Sequence, residues 1–127
     1  MLSQTNQLRI AASLGLIGVI LGALGAHGPV HDAVVANDHL DAWQKAVFYQ
    51  FIHTLMLFLL ARSGNRVGPY LFLLSGILLF SGSLYAWSYL NIGWLPHITP
   101  FGGICLMIGW LWLAVQPVVP HKMSLRS

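Results

Sequence analysis

Seven polar side chains stand out in an otherwise apolar chain: His27, Tyr49, Gln50, His53, Ser83, Tyr85 and Thr99. Two imidazoles among hydroxyls and an amide admit three chemistries. His27 and His53 could ligate one metal ion or a haem iron, with Tyr or water completing the sphere, because imidazole is a common metal ligand. The set could line a path for a proton or a small molecule. It could also hydrogen-bond internally and fix the register of the elements that carry it. The metal reading has no close-spaced ligand motif and no carboxylate beside the histidines. The path reading has no Asp, Glu, Lys or Arg in mid-segment, and a transporter of 127 residues would need an oligomer or a broken helix. The structural reading leads, with His27 and Tyr85 as the expected partners of His53, and no cofactor is expected.

Other reactive groups are sparse. Cys105 is the single cysteine, so an intrachain disulfide is excluded, and it reads as a small buried apolar residue. His31, Asp32, Asp38, His39 and Asp41 cluster in one segment. Their irregular spacing reads as a solvated acidic loop or a docking surface rather than a metal site. Without a nucleophile triad, a Gly-rich phosphate loop or paired carboxylates, an enzyme is not expected.

Composition names the solvent. The chain is 57% hydrophobic and only 7% charged, and its mean hydropathy is +0.72. Soluble domains carry about a quarter charged residues. Nine Lys, Arg, Asp and Glu residues cannot coat a soluble globule of this size. The pI near 9.4 rests on a net charge of +3, so nucleic acid is not an expected partner. Membrane lipid is.

Four apolar runs occupy 10–26, 46–61, 69–90 and 100–116. A helix needs about 17–25 residues to cross the hydrocarbon core. The second run is short by itself. Asn37 and Asp38 are good N-caps and Asp41 and Lys45 pair at i,i+4, so its helix is predicted from about Asp38 to Arg62, crossing over 42–61. An outer loop is expected over 27–41. Gly28-Pro29, Ser63-Gly64-Asn65-Arg66, Asn91-Ile92-Gly93 and Gln116-Pro117 punctuate the runs, and Thr99-Pro100 reads as N-cap and first helical residue. Arg9, the first run and Ala23-x-Gly25 also form a weak signal-peptide pattern, but the run is read as a membrane helix. The expected fold is an all-α membrane protein, a single-domain bundle of four transmembrane helices.

Gly15, Gly18, Gly22 and Gly25, with Ala11 and Ala26, share an arc of about 100° on the first helix. Small residues let backbones approach closely, which is what drives association in lipid. The stripe is expected to pack inside the same bundle, with a dimer interface as the alternative. Aromatic residues suit anchoring: Trp43, Trp87 and Trp94 fall near one interface, and Tyr70, Trp110 and Trp112 toward the other, with Trp110 alternatively lying deeper and packing.

Several segments carry a family resemblance. They are Gly22-Ala23-Leu24-Gly25-Ala26-His27-Gly28, then Ala46-Val47-Phe48-Tyr49-Gln50-Phe51-Ile52-His53-Thr54-Leu55, then Leu79-Phe80-Ser81-Gly82-Ser83-Leu84-Tyr85, and Ile98-Thr99-Pro100-Phe101-Gly102-Gly103. In this order, the chain resembles domain-of-unknown-function family 423, small bacterial membrane proteins of the YgdD and YwdK type. It departs from their pattern at Ile52 and in its longer, His-rich first loop. The resemblance implies a four-helix inner-membrane protein and points to His27, Tyr49, His53, Ser83, Tyr85, Thr99 and Pro100. It implies no reaction. The expected role is a non-enzymatic accessory, assembly or interaction subunit of a larger membrane complex, or a homo-oligomer. A His-ligated metal or haem protein and a small oligomeric channel or transporter are the alternatives.

With four crossings both termini share a side. That side carries Arg9, Arg62, Arg66, Lys122 and Arg126, and the other carries Lys45 with Asp32, Asp38 and Asp41. The positive-inside bias places both termini in the cytoplasm. A C-terminal alkaline phosphatase fusion should therefore be inactive; high activity would invert the orientation.

Overall fold

The computed structural model describes residues 2–117, so Lys122 and Arg126 of the charge argument lie outside the described residues. Helix α1 spans Gln4–Ala26, α2 Pro29–Ala36, α3 Leu40–Ser63, α4 Val67–Leu90 and α5 Thr99–Val115, with a 3-10 turn over Leu95–His97 before α5. Four stretches are long and apolar enough to cross a membrane: Gln4–Ala26, Leu40–Ser63, Val67–Leu90 and Leu95–Val115. Each satisfies its own backbone, as lipid requires.

Several boundaries differ from the sequence-based expectation. Helix α1 begins six residues early because the Ser3 hydroxyl caps it, accepting from the Asn6 amide at 3.1 Å. The 27–41 segment is not a plain loop. Gly28, at φ 87°, turns the chain, and Pro29 starts the eight-residue α2, which buries Val34 completely. Asn37 and Asp38 do not cap α3. Asp38 takes a left-handed turn at φ 59°, and the Asn37 side chain donates to Ser88 O at 3.0 Å and Tyr89 O at 3.1 Å. It thus satisfies carbonyls at the end of α4, which otherwise lack partners. Gln4 does the same at the opposite end, donating to Ala61 O of α3 at 2.8 Å. Thr99 is inside α5 rather than its N-cap, which is Ile98.

The spanning helices form a row rather than a closed square. Helices α3 and α4 pack in the middle, α1 lies on α3 and α5 on α4, and no Cα of α1 comes within 8 Å of one in α4 or α5. Consequently α3 and α4 bury 39% and 44% of their spans, but α1 and α5 only 17% each. The apolar core is Ala11, Leu57, Leu60, Ala61, Tyr70, Leu73, Ile77 and Leu106. It fills the half of the bundle nearer the termini.

Close approach is set by glycine. A Cβ on Gly15 would meet Thr54 at 3.8 Å, on Gly18 Phe51 at 3.1 Å and on Gly22 Val47 at 3.6 Å; on Gly25 it would collide with the Trp43 indole. All four glycines of the α1 stripe therefore face α3 of the same chain. A second seam joins α4 to α5. A Cβ on Gly76 would strike Leu106, one on Gly109 would lie 2.7 Å from Leu73, and one on Gly102 would lie 2.7 Å from the Phe80 Cα. Periodicity within either helix alone does not mark this seam. The two seams yield differently to an added methyl. At Gly102 the obstacle is backbone, which cannot rotate away, so Gly102→Ala should cost about 3 kcal/mol or more. Gly22→Ala meets an ordinary contact and should stay within about 0.5 kcal/mol of the parent. Unfolding in mixed detergent–SDS micelles would show this difference, and equal costs would refute the seam.

Candidate functional site

The polar side chains singled out by sequence separate into distinct bonded sets. Gln50 on α3 is buried between α1 and α4. Its amide nitrogen donates to Leu14 O of α1 at 2.8 Å, and its oxygen accepts from the Tyr85 hydroxyl of α4 at 2.7 Å. One amide therefore ties three helices. Ser81 donates to Ala46 O at 2.8 Å one turn away, tying α4 to α3. Trp43 donates to Leu21 O at 2.9 Å, and its ring meets Tyr85 edge-on at 4.8 Å.

His53 belongs to a second set, on the α5 side. Its Nδ1–H donates to Tyr49 O one turn back at 2.7 Å, and its Nε2 accepts from Trp110 Nε1 at 3.0 Å. An indole nitrogen only donates and a carbonyl only accepts, so these partners fix the Nδ1–H tautomer. The Tyr49 ring stacks beside His53 at 5.9 Å and packs on Phe80 at 4.5 Å. Ser83 and Thr99 form a third set. Their hydroxyls lie 2.6 Å apart, joining α4 to the start of α5, and Ser83 also bonds Phe80 O at 3.0 Å.

Two expected partners of His53 are thus elsewhere. Tyr85 bonds Gln50 instead. His27 is exposed beyond the last turn of α1. The glycine at position 25, two residues before it, packs on Trp43, ten residues before His53. At about 1.5 Å per residue that is about 15 Å along α3, too far for both imidazoles to reach one ion. Among the described residues no group of three or more His, Cys, Asp or Glu is placed to hold a metal.

Trp110 supplies the partner that sequence reasoning missed. It sits on the last span, fifty-seven positions from His53, and no local spacing joins them. The aromatic anchors also need correction. Tyr70 is fully buried and its hydroxyl donates to Gln7 O of α1 at 2.7 Å, and Trp43 is buried against α1, so neither ring faces outward to anchor in lipid. Trp94 is exposed, whereas Trp87 is half-buried beneath His39, whose ring stacks on it at 3.8 Å. Histidine 31, from the segment read as a solvated loop, donates from Nδ1 to Gly25 O at 2.7 Å and fastens α2 to α1.

An open hollow of about 300 Å³ lies between α1 and α4 under Val30 of α2, with Leu24, Trp43, Tyr85 and Ala86 around it. A second, of about 180 Å³, continues along the same flank past Tyr85 to Gln50, Ser81 and Leu14. What the arrangement offers chemically is therefore an apolar space over a floor of internally bonded polar groups.

Such a bundle, with four apolar spans, internally bonded polar side chains and glycine seams, defines a small multi-pass membrane protein. Comparison with known proteins is consistent and more specific. Residues 21–103 match the model of the family described as "Protein of unknown function (DUF423)". The UPF0382 membrane protein YwdK of Bacillus subtilis is 34% identical over 86% of this chain and 93% of its own length. A UPF0382 membrane protein of Haemophilus influenzae is 38% identical over 87% of this chain and 92% of its own. The UPF0382 inner membrane protein YgdD of Escherichia coli is 34% identical over 85% and 86%. No solved structure matches the chain. The chain belongs to the DUF423 family, and its four apolar helices fit a multi-pass inner-membrane protein.

The Gln50–Tyr85 bond should be measurable as a coupling. Tyr85→Phe strands the buried Gln50 oxygen, and Gln50→Leu removes the acceptor of Tyr85. In a double-mutant cycle read by SDS-driven unfolding, the pair should couple by about 0.6–1.7 kcal/mol. Strict additivity would show that the bond does not form in the membrane.

Proposed function

We propose that this protein is a non-enzymatic accessory or assembly subunit that packs laterally against another membrane protein. The observation that carries the reading is the row architecture. The inner pair α3–α4 is joined by polar bonds, glycine seams hold α1 to α3 and α5 to α4, and α1 and α5 each present one long face to the bilayer. Phe101, Met107, Leu111 and Val115 on α5 and Leu16 and Val19 on α1 are each at least 60% exposed. The engagement of most interior polar groups also supports it, the buried Thr54 and Ser88 hydroxyls being the unpartnered ones among the spans. Gln50, His53, Ser81, Ser83 and Tyr85 are tied to neighbouring helices or to their own turn. A rigid platform is the result, with no activated nucleophile among these groups.

The His-ligated alternative would draw on His53 Nε2, which Trp110 already occupies. The path alternative would draw on a connected polar route, whereas these groups fall into separate bonded sets. Extraction in mild detergent at native expression level, followed by size-exclusion chromatography and mass spectrometry, tests the proposal. A stoichiometric membrane partner is the expected result. A strictly solitary protein would overturn the reading.

A further inference from the structure

Between α1 and α4 the bundle leaves a lateral window, and we infer that it is a binding groove for one acyl chain of a membrane phospholipid. The inference does not depend on the accessory role. The two cavities on this flank share Tyr85 and form one groove, floored by α3. Its lining on α1 runs from Leu14 to Leu24. Ten residues at about 1.5 Å give a length of about 15 Å. That is half of a hydrocarbon core about 30 Å thick, the depth of one leaflet.

Its ends are closed. Toward the termini the Tyr70 hydroxyl bridges α4 to Gln7 O of α1. At the other end α2 spans the gap, bonded to α1 through His31 and to α4 through the adjoining Asn37. A transmembrane helix from a second copy or a partner is about 10–12 Å across and runs the full bilayer depth. It would strike one closure or the other. A slender chain entering sideways from the bilayer meets neither, and the rim it crosses is apolar and exposed: Ile17, Leu24, Leu78 and Leu90.

The lining chemistry selects hydrocarbon. The α2 half of the groove exposes no polar surface. Polar groups on the deeper floor already have partners: Gln50 with Leu14 O and Tyr85, and Ser81 with Ala46 O. An apolar occupant therefore strands no donor, whereas a polar ligand would arrive without its hydrogen bonds and bear the desolvation cost.

The test uses the full chain in phospholipid nanodiscs doped with a phosphatidylglycerol carrying a diazirine on one acyl chain. After illumination, adducts are mapped by peptide mass spectrometry. Labelling at Leu21, Leu24 and Ala86 should exceed that at Leu16, Leu59 and Leu111, which face bulk lipid, by about tenfold. Two variants fill the groove, Ala86→Trp and Gly82→Leu. A Cβ on Gly82 meets nothing within 4 Å, so this change is sterically admitted. Each should abolish the excess while leaving labelling at Leu111 unchanged. Even labelling of groove and outer face would overturn the proposal. So would groove positions that crosslink to a second copy or another protein, or an excess that survives both variants.

Discussion

Lipid gives two helices no hydrophobic reason to touch, since the surrounding chains are as apolar as the side chains. What holds this bundle must therefore act at contact distance, and that requirement explains where its glycines are. Along α1 the partners are large: the glycines at 18 and 25 receive the Phe51 and Trp43 rings of α3. Between α4 and α5 the arrangement is reciprocal. Gly76 of α4 receives Leu106 of α5, and Gly109 of α5 receives Leu73 of α4. At Gly102 the two backbones themselves meet. Dispersion falls off steeply with a gap of even 0.5–1 Å, so these contacts set the distance at which every other interaction in the bundle operates.

Within that distance, direction comes from polar side chains aimed at backbone carbonyls. A helical carbonyl keeps a lone pair after accepting its own i+4 amide. Trp43 and Gln50 use this on α1, at Leu21 O and Leu14 O. The two donors are seven residues apart on α3, and the two acceptors are seven apart on the antiparallel α1. A slip of one residue would break both bonds at once and move the glycines off their rings. The pair thus fixes register, while the glycines fix separation.

This division also explains what the sequence could and could not disclose. Lengths, hydropathy and turn residues marked all four spans, because lipid imposes a length and Gly64 and Asn65 adopt the positive φ that a tight turn needs. The α1 stripe was legible because helical periodicity brings its glycines onto one arc. The α4–α5 seam was not, since Gly76, Gly102 and Gly109 align only after the two helices are paired. The choice of Gln50, His53, Ser83 and Tyr85 as interior polar residues followed from polarity in an apolar run, and that of Thr99 from its place at the head of the last one. Their pairing did not. Gln50 and Ser81 bond to carbonyls of Leu14 and Ala46, which carry no mark in side-chain identity. His53 bonds to Trp110 on another span, and no local spacing joins the two. Expecting polar side chains to find one another misplaced His27, which merely terminates a helix.

The same asymmetry shapes the two halves of the molecule. Near the termini, Leu57, Leu60, Tyr70 and Leu73 are buried among the helices. Near α2, α1 rests on α3 along a narrow line of small residues. A third hollow, of about 330 Å³, opens on its other flank beside Gly22, Gly25 and Phe51. Small residues that permit close approach necessarily leave their neighbours' flanks uncovered. The Trp43 indole stands between the two open flanks, bonded to Leu21 O and set against Gly25, and so replaces the missing side chains of α1. Closeness on the seam and openness beside it are thus one consequence of the same four glycines. The α2 segment, with His31 bonded to α1, Asn37 to α4 and Val34 buried, closes over the half in which packing alone is thinnest.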